Sequence, residues 1–138
     1  MEDVQISRNF KLSEFIYSET ALEKGIDNTP NEQVIENITL LVIKLLQPLR
    51  GLYGKPIVIS SGYRSKELNR AVGGVYNSQH LIGQAADIRT TNPQELLALL
   101  QSSHLMYDQA ITYMAKPNLL HLSYKTTGNR MMILTRIT

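Results

Sequence analysis

The stretch His80-Leu81-Ile82-Gly83-Gln84-Ala85-Ala86-Asp87-Ile88-Arg89 can be read in two ways. As a continuous helix, its spacing would put His80 and Asp87 on one face. Gly83 and the pattern after it argue instead for a loop that enters a strand from about Gln84 to Arg89. Alternation in that strand sets Ala85, Asp87 and Arg89 on one face and Ala86 and Ile88 on the other. The strand reading makes this a sheet protein.

Working outward, four more segments read as strands: Ile57 to Ser60, Asp108 to Met114, Leu119 to Tyr124, and Met131 to Arg136. The first is β-branched and short, as a buried strand would be. In Leu119 to Tyr124, Leu119, His121 and Ser123 share a face, opposite Leu120, Leu122 and Tyr124. The apolar faces belong to the core, so Asp87 and His121 project together from the other side of the sheet. His80 stands at the rim of the preceding loop. Two histidines and a carboxylate form a tridentate donor set with room for a water. Thr127-Gly128-Asn129 is a turn signal and predicts that the last two strands form a hairpin.

Helices account for much of the rest. Ser13 to Ile16 and Glu19 to Lys24 read as short helical segments, the second ended by Gly25. Thr29-Pro30-Asn31-Glu32 predicts a helix start with Thr29 as N-cap and Pro30 in the first turn. Val34, Ile35, Ile38, Leu41, Val42, Leu45, Leu46 and Leu49 continue it as an amphipathic stripe to about Leu52, with Pro48 loosening its last turns. Ser65 caps a short helix to Ala71, and Asn92-Pro93 starts another that carries Leu96, Leu97, Leu99 and Leu100. His104 falls at the end of that helix, where the helix dipole accounts for it. The expected fold is α+β, a single domain over 1–138 with helices packed on a mainly antiparallel sheet.

Composition narrows the function classes. Of 138 residues, 43% are hydrophobic and 19% charged, which excludes a chain disordered throughout. The absence of cysteine excludes disulfides, thiolate metal sites and cysteine nucleophiles. A formal charge of +2 predicts no nucleic-acid partner. The run Leu40 to Leu46 is too short to enter a membrane as a span. Met1-Glu2-Asp3-Val4 is acidic and no apolar region follows, so a chain made in the cytoplasm is expected, reaching a cell wall only after release. A monomer is expected.

Several motifs together resemble the zinc D-Ala-D-Ala carboxypeptidase family, peptidase family M15. They are Ser61-Gly62-Tyr63-Arg64-Ser65, Asn69-Arg70-Ala71-Val72-Gly73-Gly74, Asn77-Ser78-Gln79-His80 through Ile88, Tyr107-Asp108-Gln109-Ala110-Ile111 and Leu120-His121-Leu122-Ser123-Tyr124. Phe10-Lys11-Leu12-Ser13-Glu14-Phe15 and Asn28-Thr29-Pro30 resemble its phage and bacterial subgroup. The resemblance implies a hedgehog/DD-peptidase-like fold and one zinc ion held by His80, Asp87 and His121. It implies that Arg64 steadies substrate or tetrahedral intermediate and that Ser78 lies beside the substrate. The implied activity is hydrolysis of peptidoglycan stem or cross-link peptides, of carboxypeptidase or endopeptidase type, as in a phage lysin.

One departure concerns the base. Many relatives carry a glutamate three residues before the last histidine ligand, where this chain has Asn118, and some a histidine five before it, where this chain has Lys116. Asp108 is the candidate substitute. It could equally orient a histidine ligand or be structural. Asn118 also supports an alternative, a catalytically weak zinc-holding domain that binds cell-wall peptide.

Overall fold

The computed structural model describes residues 3–137, so Met1, Glu2 and Thr138 lie outside it, and with them part of the acidic start. In chain order the elements are β1 (Gln5–Ser7), β2 (Phe10–Lys11), a 3-10 turn (Leu12–Phe15), α1 (Glu19–Lys24), α2 (Glu32–Leu41), a π-helical turn (Val42–Leu46) and α3 (Gln47–Tyr53). Then follow β3 (Val58–Ser61), α4 (Lys66–Ala71), a second 3-10 turn (Gln79–Ile82), β4 (Ala85–Arg89), α5 (Pro93–Ser102), β5 (Gln109–Tyr113), β6 (Lys116–Ser123) and β7 (Met132–Arg136). The architecture is α+β, as the sequence predicts.

The amphipathic stripe forms the spine of the core. Val34, Ile38, Leu41, Val42, Leu45, Leu46 and Leu49 are all buried. Proline inside a helix costs about 3 kcal/mol, whereas each fully buried leucine contributes about 1.5–3 kcal/mol. Three buried leucines flanking Pro48 therefore outweigh it, and the chain stays helical to Tyr53. The cost appears as the wide turn just before the proline, where Gln47 N donates to Val42 O. The helix starts later than predicted. Asn31 is the N-cap, its side chain accepting from Val34 N, while Thr29 donates both its N–H and its hydroxyl to Asp27 Oδ1.

The main sheet has the order β3-β4-β6-β5-β7. Its core face presents Ala86, Ile88, Ala110, Leu120 and Leu122, all fully buried in one cluster with the helical stripe, Phe10, Phe15 and the leucines of α5. Two predictions need correction. The last two strands are not a hairpin: β7 pairs with β5, in parallel. β6 already pairs with β4 on one side and β5 on the other, so it has no free edge to offer β7. Likewise β3 is an edge strand rather than a buried one, with Val58 exposed and Ile57 beneath it buried. No helix among the described residues is long and apolar enough to cross a membrane.

Candidate metal centre

The face of the sheet turned away from the helical core carries the site. Register pairs Asp87 of β4 with His121 of β6, and His121 with Ile111 of β5. Strand alternation and register thus put Asp87 and His121 side by side, as the sequence predicts. His121 Nδ1 lies 2.9 Å from Asp87 Oδ1.

His80 arrives from outside the sheet. It is only 3% exposed, so it is part of a packed floor rather than a flexible rim. Three local features hold it there. Ser78 caps the 3-10 turn by accepting from His80 N at 3.1 Å. Gly83 ends the turn at φ 78°, where a Cβ would come within 2.8 Å of Val34 O. Gly62 O lies 2.6 Å from His80 Nδ1. A carbonyl only accepts, so Nδ1 carries a proton, and Nε2 is the nitrogen turned to Asp87 Oδ1, at 3.3 Å.

One donor atom from each of His80, Asp87 and His121 lies within 4.8 Å of the others, and all three residues are buried. A tetrahedral ion with bonds of about 2.0–2.1 Å holds its donor atoms about 3.3 Å apart, the distance found from His80 Nε2 to Asp87 Oδ1. The donor chemistry suits it as well. Burial alone would raise the Asp87 pKa, but hydrogen bonds from His121 and His80 outweigh it and hold the carboxyl ionised far below the usual range. Two imidazoles and a carboxylate leave a fourth position open to solvent or substrate.

Arg64 completes the floor. Its Nη2 lies 3.4 Å from Asp87 Oδ2, Nη1 donates to Asn69 Oδ1 at 3.0 Å, and Nε donates to Ser61 Oγ at 3.3 Å. Asn69 is buried and braces the guanidinium while donating to Val75 O. A Cβ at Gly74 would collide with Asn69 Oδ1 and lie 2.8 Å from Arg64 Nη1, so glycine there makes room for this brace. Above these residues opens a cleft of about 1200 Å³, bordered by Arg64, Ser78 and the three candidate ligands.

Asp108 is not brought to this cluster. It shares strand parity with Ala110, opposite Ile111 and His121, and is fully buried. Arg130 closes on it with Nε and Nη2 at 2.9 and 2.8 Å, its backbone N–H adds a bond of 3.1 Å, and Lys125 stands 4.0 Å away. The Arg130 hydrogen bonds hold its carboxyl below the ordinary pKa. Asn118 likewise does not border the main cleft but a smaller neighbouring pocket. Three residues is an odd step along a strand, which turns its side chain away from that of His121. The carboxylates bordering the main cleft, among the described residues, are Asp87 and Glu19.

Tyr113 is a cleft residue that the sequence reading passes over. It lies one same-face step from Ile111 on β5, a position that alternation makes legible.

The comparisons with known proteins agree with this geometry. Residues 8–123 match the family described as Peptidase M15, and the chain belongs to that family. A curated relative from Streptomyces albus G, named zinc D-Ala-D-Ala carboxypeptidase, is 40% identical over 65 residues. That match covers 46% of this chain and 25% of the relative.

Proposed function

We propose that this chain is a zinc-dependent peptidase that hydrolyses peptidoglycan stem or cross-link peptides. The observation that carries the reading is the buried His80–Asp87–His121 set on the floor of an open cleft, with Arg64 beside it. Family membership and the name of the Streptomyces relative support the chemistry; the cell-wall substrate is our extension of them.

Each residue then has a task. His80 presents Nε2 because Gly62 holds its other nitrogen, and Asp87 supplies the negative charge. When bound, a single zinc ion supplies Lewis acidity at the scissile carbonyl and activation of water. Arg64, fixed by Asn69 and Ser61, offers its fork to the oxygen on which negative charge develops or to a substrate carboxylate. Ser78 positions His80 and borders the path of the peptide. Asp108 takes no part in proton transfer, because both its oxygens are engaged by Arg130.

A positioned general base typically contributes ~100- to 10,000-fold. With Asn118 turned away and Asp108 engaged, hydrolysis is expected to be slow but measurable. The same two placements favour a second reading, a zinc-holding domain that binds wall peptide with little turnover. Mass spectrometry of purified peptidoglycan after incubation with the zinc-loaded protein separates the two. New peptide termini support the peptidase; retention of intact stem peptide without cleavage supports the binding domain.

A further inference from the structure

The cleft is more basic than the whole chain. Arg64, Arg89, Lys116, Lys125, Arg130 and Arg136 border it, against the carboxylates of Glu19 and Asp87. Arg64 faces Asp87, while Lys125 and Arg130 face Asp108. Arg89, Lys116 and Arg136 form no ion pair among the described residues.

Register places two of these cations on either side of one tyrosine. Tyr113 pairs with Lys116 across the β5–β6 hairpin and with Arg136 on parallel β7. Directly paired residues bring their Cβ atoms to about 5 Å, so the sheet keeps two like charges flanking one phenol. The two cations thus stand roughly 10 Å apart at their Cβ atoms, and their long side chains can converge on one anion at the tyrosine hydroxyl. The tyrosine also links this strip to the metal site. Its hydroxyl pKa is raised by burial and by the charge of Asp87, while Arg136 and Arg64 pull it the other way. The phenol therefore lies within the electrostatic reach of both clusters and stays protonated as a donor.

The distance between the clusters is set by the sheet. Tyr113 stands one same-face step from Ile111, which is the cross-strand partner of His121. One such step is about 7 Å along the strand and the cross-strand spacing is about 5 Å, so the two clusters lie roughly 9 Å apart, the span of two to three residues of an extended peptide. We propose that Tyr113, Lys116 and Arg136 form a second, anion-binding subsite of the cleft, which takes a substrate carboxylate about two to three residues from the bond held at the metal centre. This deepens the peptidase reading and rests on it. It makes the protein selective for wall peptides whose side-chain carboxylates are free over those in which they are amidated.

The test uses a stem peptide in its free-acid form and the same peptide amidated on its side-chain carboxylates. Both are offered to zinc-loaded wild type, to Lys116→Gln, to Arg136→Gln and to the double variant. Exposed charge contacts are individually modest, so the expected preference of wild type for the acid form is about tenfold in kcat/KM. It should fall by about threefold in each single variant and to near parity in the double variant, with zinc content and melting temperature unchanged. Equal kcat/KM for the two peptides in wild type overturns the subsite, as does an undiminished preference in the double variant. If neither peptide is cleaved, the peptidase reading fails and the subsite is judged by equilibrium titration of the same peptides. Tighter binding of the acid form that is lost in the double variant then upholds it, and equal binding overturns it.

Discussion

Asp87 and Asp108 are both buried aspartates of the same sheet region, and each is held ionised by cationic or N–H partners. Their surroundings separate them. Asp108 meets one arginine in a two-pronged contact, a backbone N–H and a lysine, so its oxygens are saturated by groups that cannot release a lone pair. Asp87 is shared among two imidazoles and one guanidinium, at 2.9, 3.3 and 3.4 Å, on the floor of a cleft. Buried charge alone therefore does not mark a reactive site. What marks it is partners that can themselves act as ligands, and an approach left open.

The comparison can be broken most forcefully at the histidines. His121→Ala should lower zinc affinity by more than about 100-fold, since removal of even an outer partner costs 10- to 100-fold. Metal analysis after dialysis checks this, and zinc retained at one per chain by both His121→Ala and His80→Ala would sink the site. Next in size is Arg64→Lys, expected to reduce kcat/KM by about tenfold or more with zinc content intact, because an ammonium cannot reproduce the fork. Steady-state kinetics on a defined muropeptide decides it.

Asp108→Asn should act on stability instead. Loss of its charge-assisted bonds is expected to lower the melting temperature by roughly 3–6 °C while zinc binding stays at the wild-type level. The pH dependence has a definite sign. The folded-state pKa of Asp108 is depressed, so its stabilisation is complete above the unfolded pKa of about 4 and is lost as pH falls through the lower folded value. The gap between wild type and Asp108→Asn should therefore narrow in acid, as read from melts across that range. A loss of zinc in this variant would erase the contrast between the two aspartates. The smallest effect belongs to Asn118→Glu, which should change turnover by less than about twofold because its side chain leaves the sheet on the side opposite His121. A large gain in kcat would show that the strand lets position 118 reach the cleft.

Much of this was legible in the sequence because alternation in two short strands suffices to align Asp87 with His121. The burial of His80 was less so, although Ser78 two residues before it and Gly83 after it are cap signals of the turn that fixes it. The placement of β7 was hidden for a different reason. Thr127-Gly128-Asn129 announces a reversal, but a turn does not say which strand edge is vacant, and the edges of β6 are filled by its hairpin partner β5 and by β4, which is distant in sequence. The odd spacing of Asn118 from His121 is visible in the sequence, but relatives carry their base at that spacing, so it is the position of Asn118 beside the smaller pocket that separates it from the cleft. The concentration of cations in the cleft could not be read from a net charge of +2, because a sum carries no positions.

Gly62 has a consequence for the segment that carries no chemical motif. Its carbonyl meets His80, while a Cβ on it would lie 2.6 Å from Phe15 O, which itself accepts from Tyr63 N at 2.7 Å. Asn28 tightens the same junction, donating to Ile16 O and Tyr63 O and accepting from Ser65 N. In the proposed zinc-loaded state these contacts make a thermodynamic linkage. A metal that binds only the assembled arrangement stabilises the docking of residues 10–28, and whatever loosens that docking weakens the metal by the same factor. This short and unreactive stretch is in this sense an effector of the chain's most reactive residues.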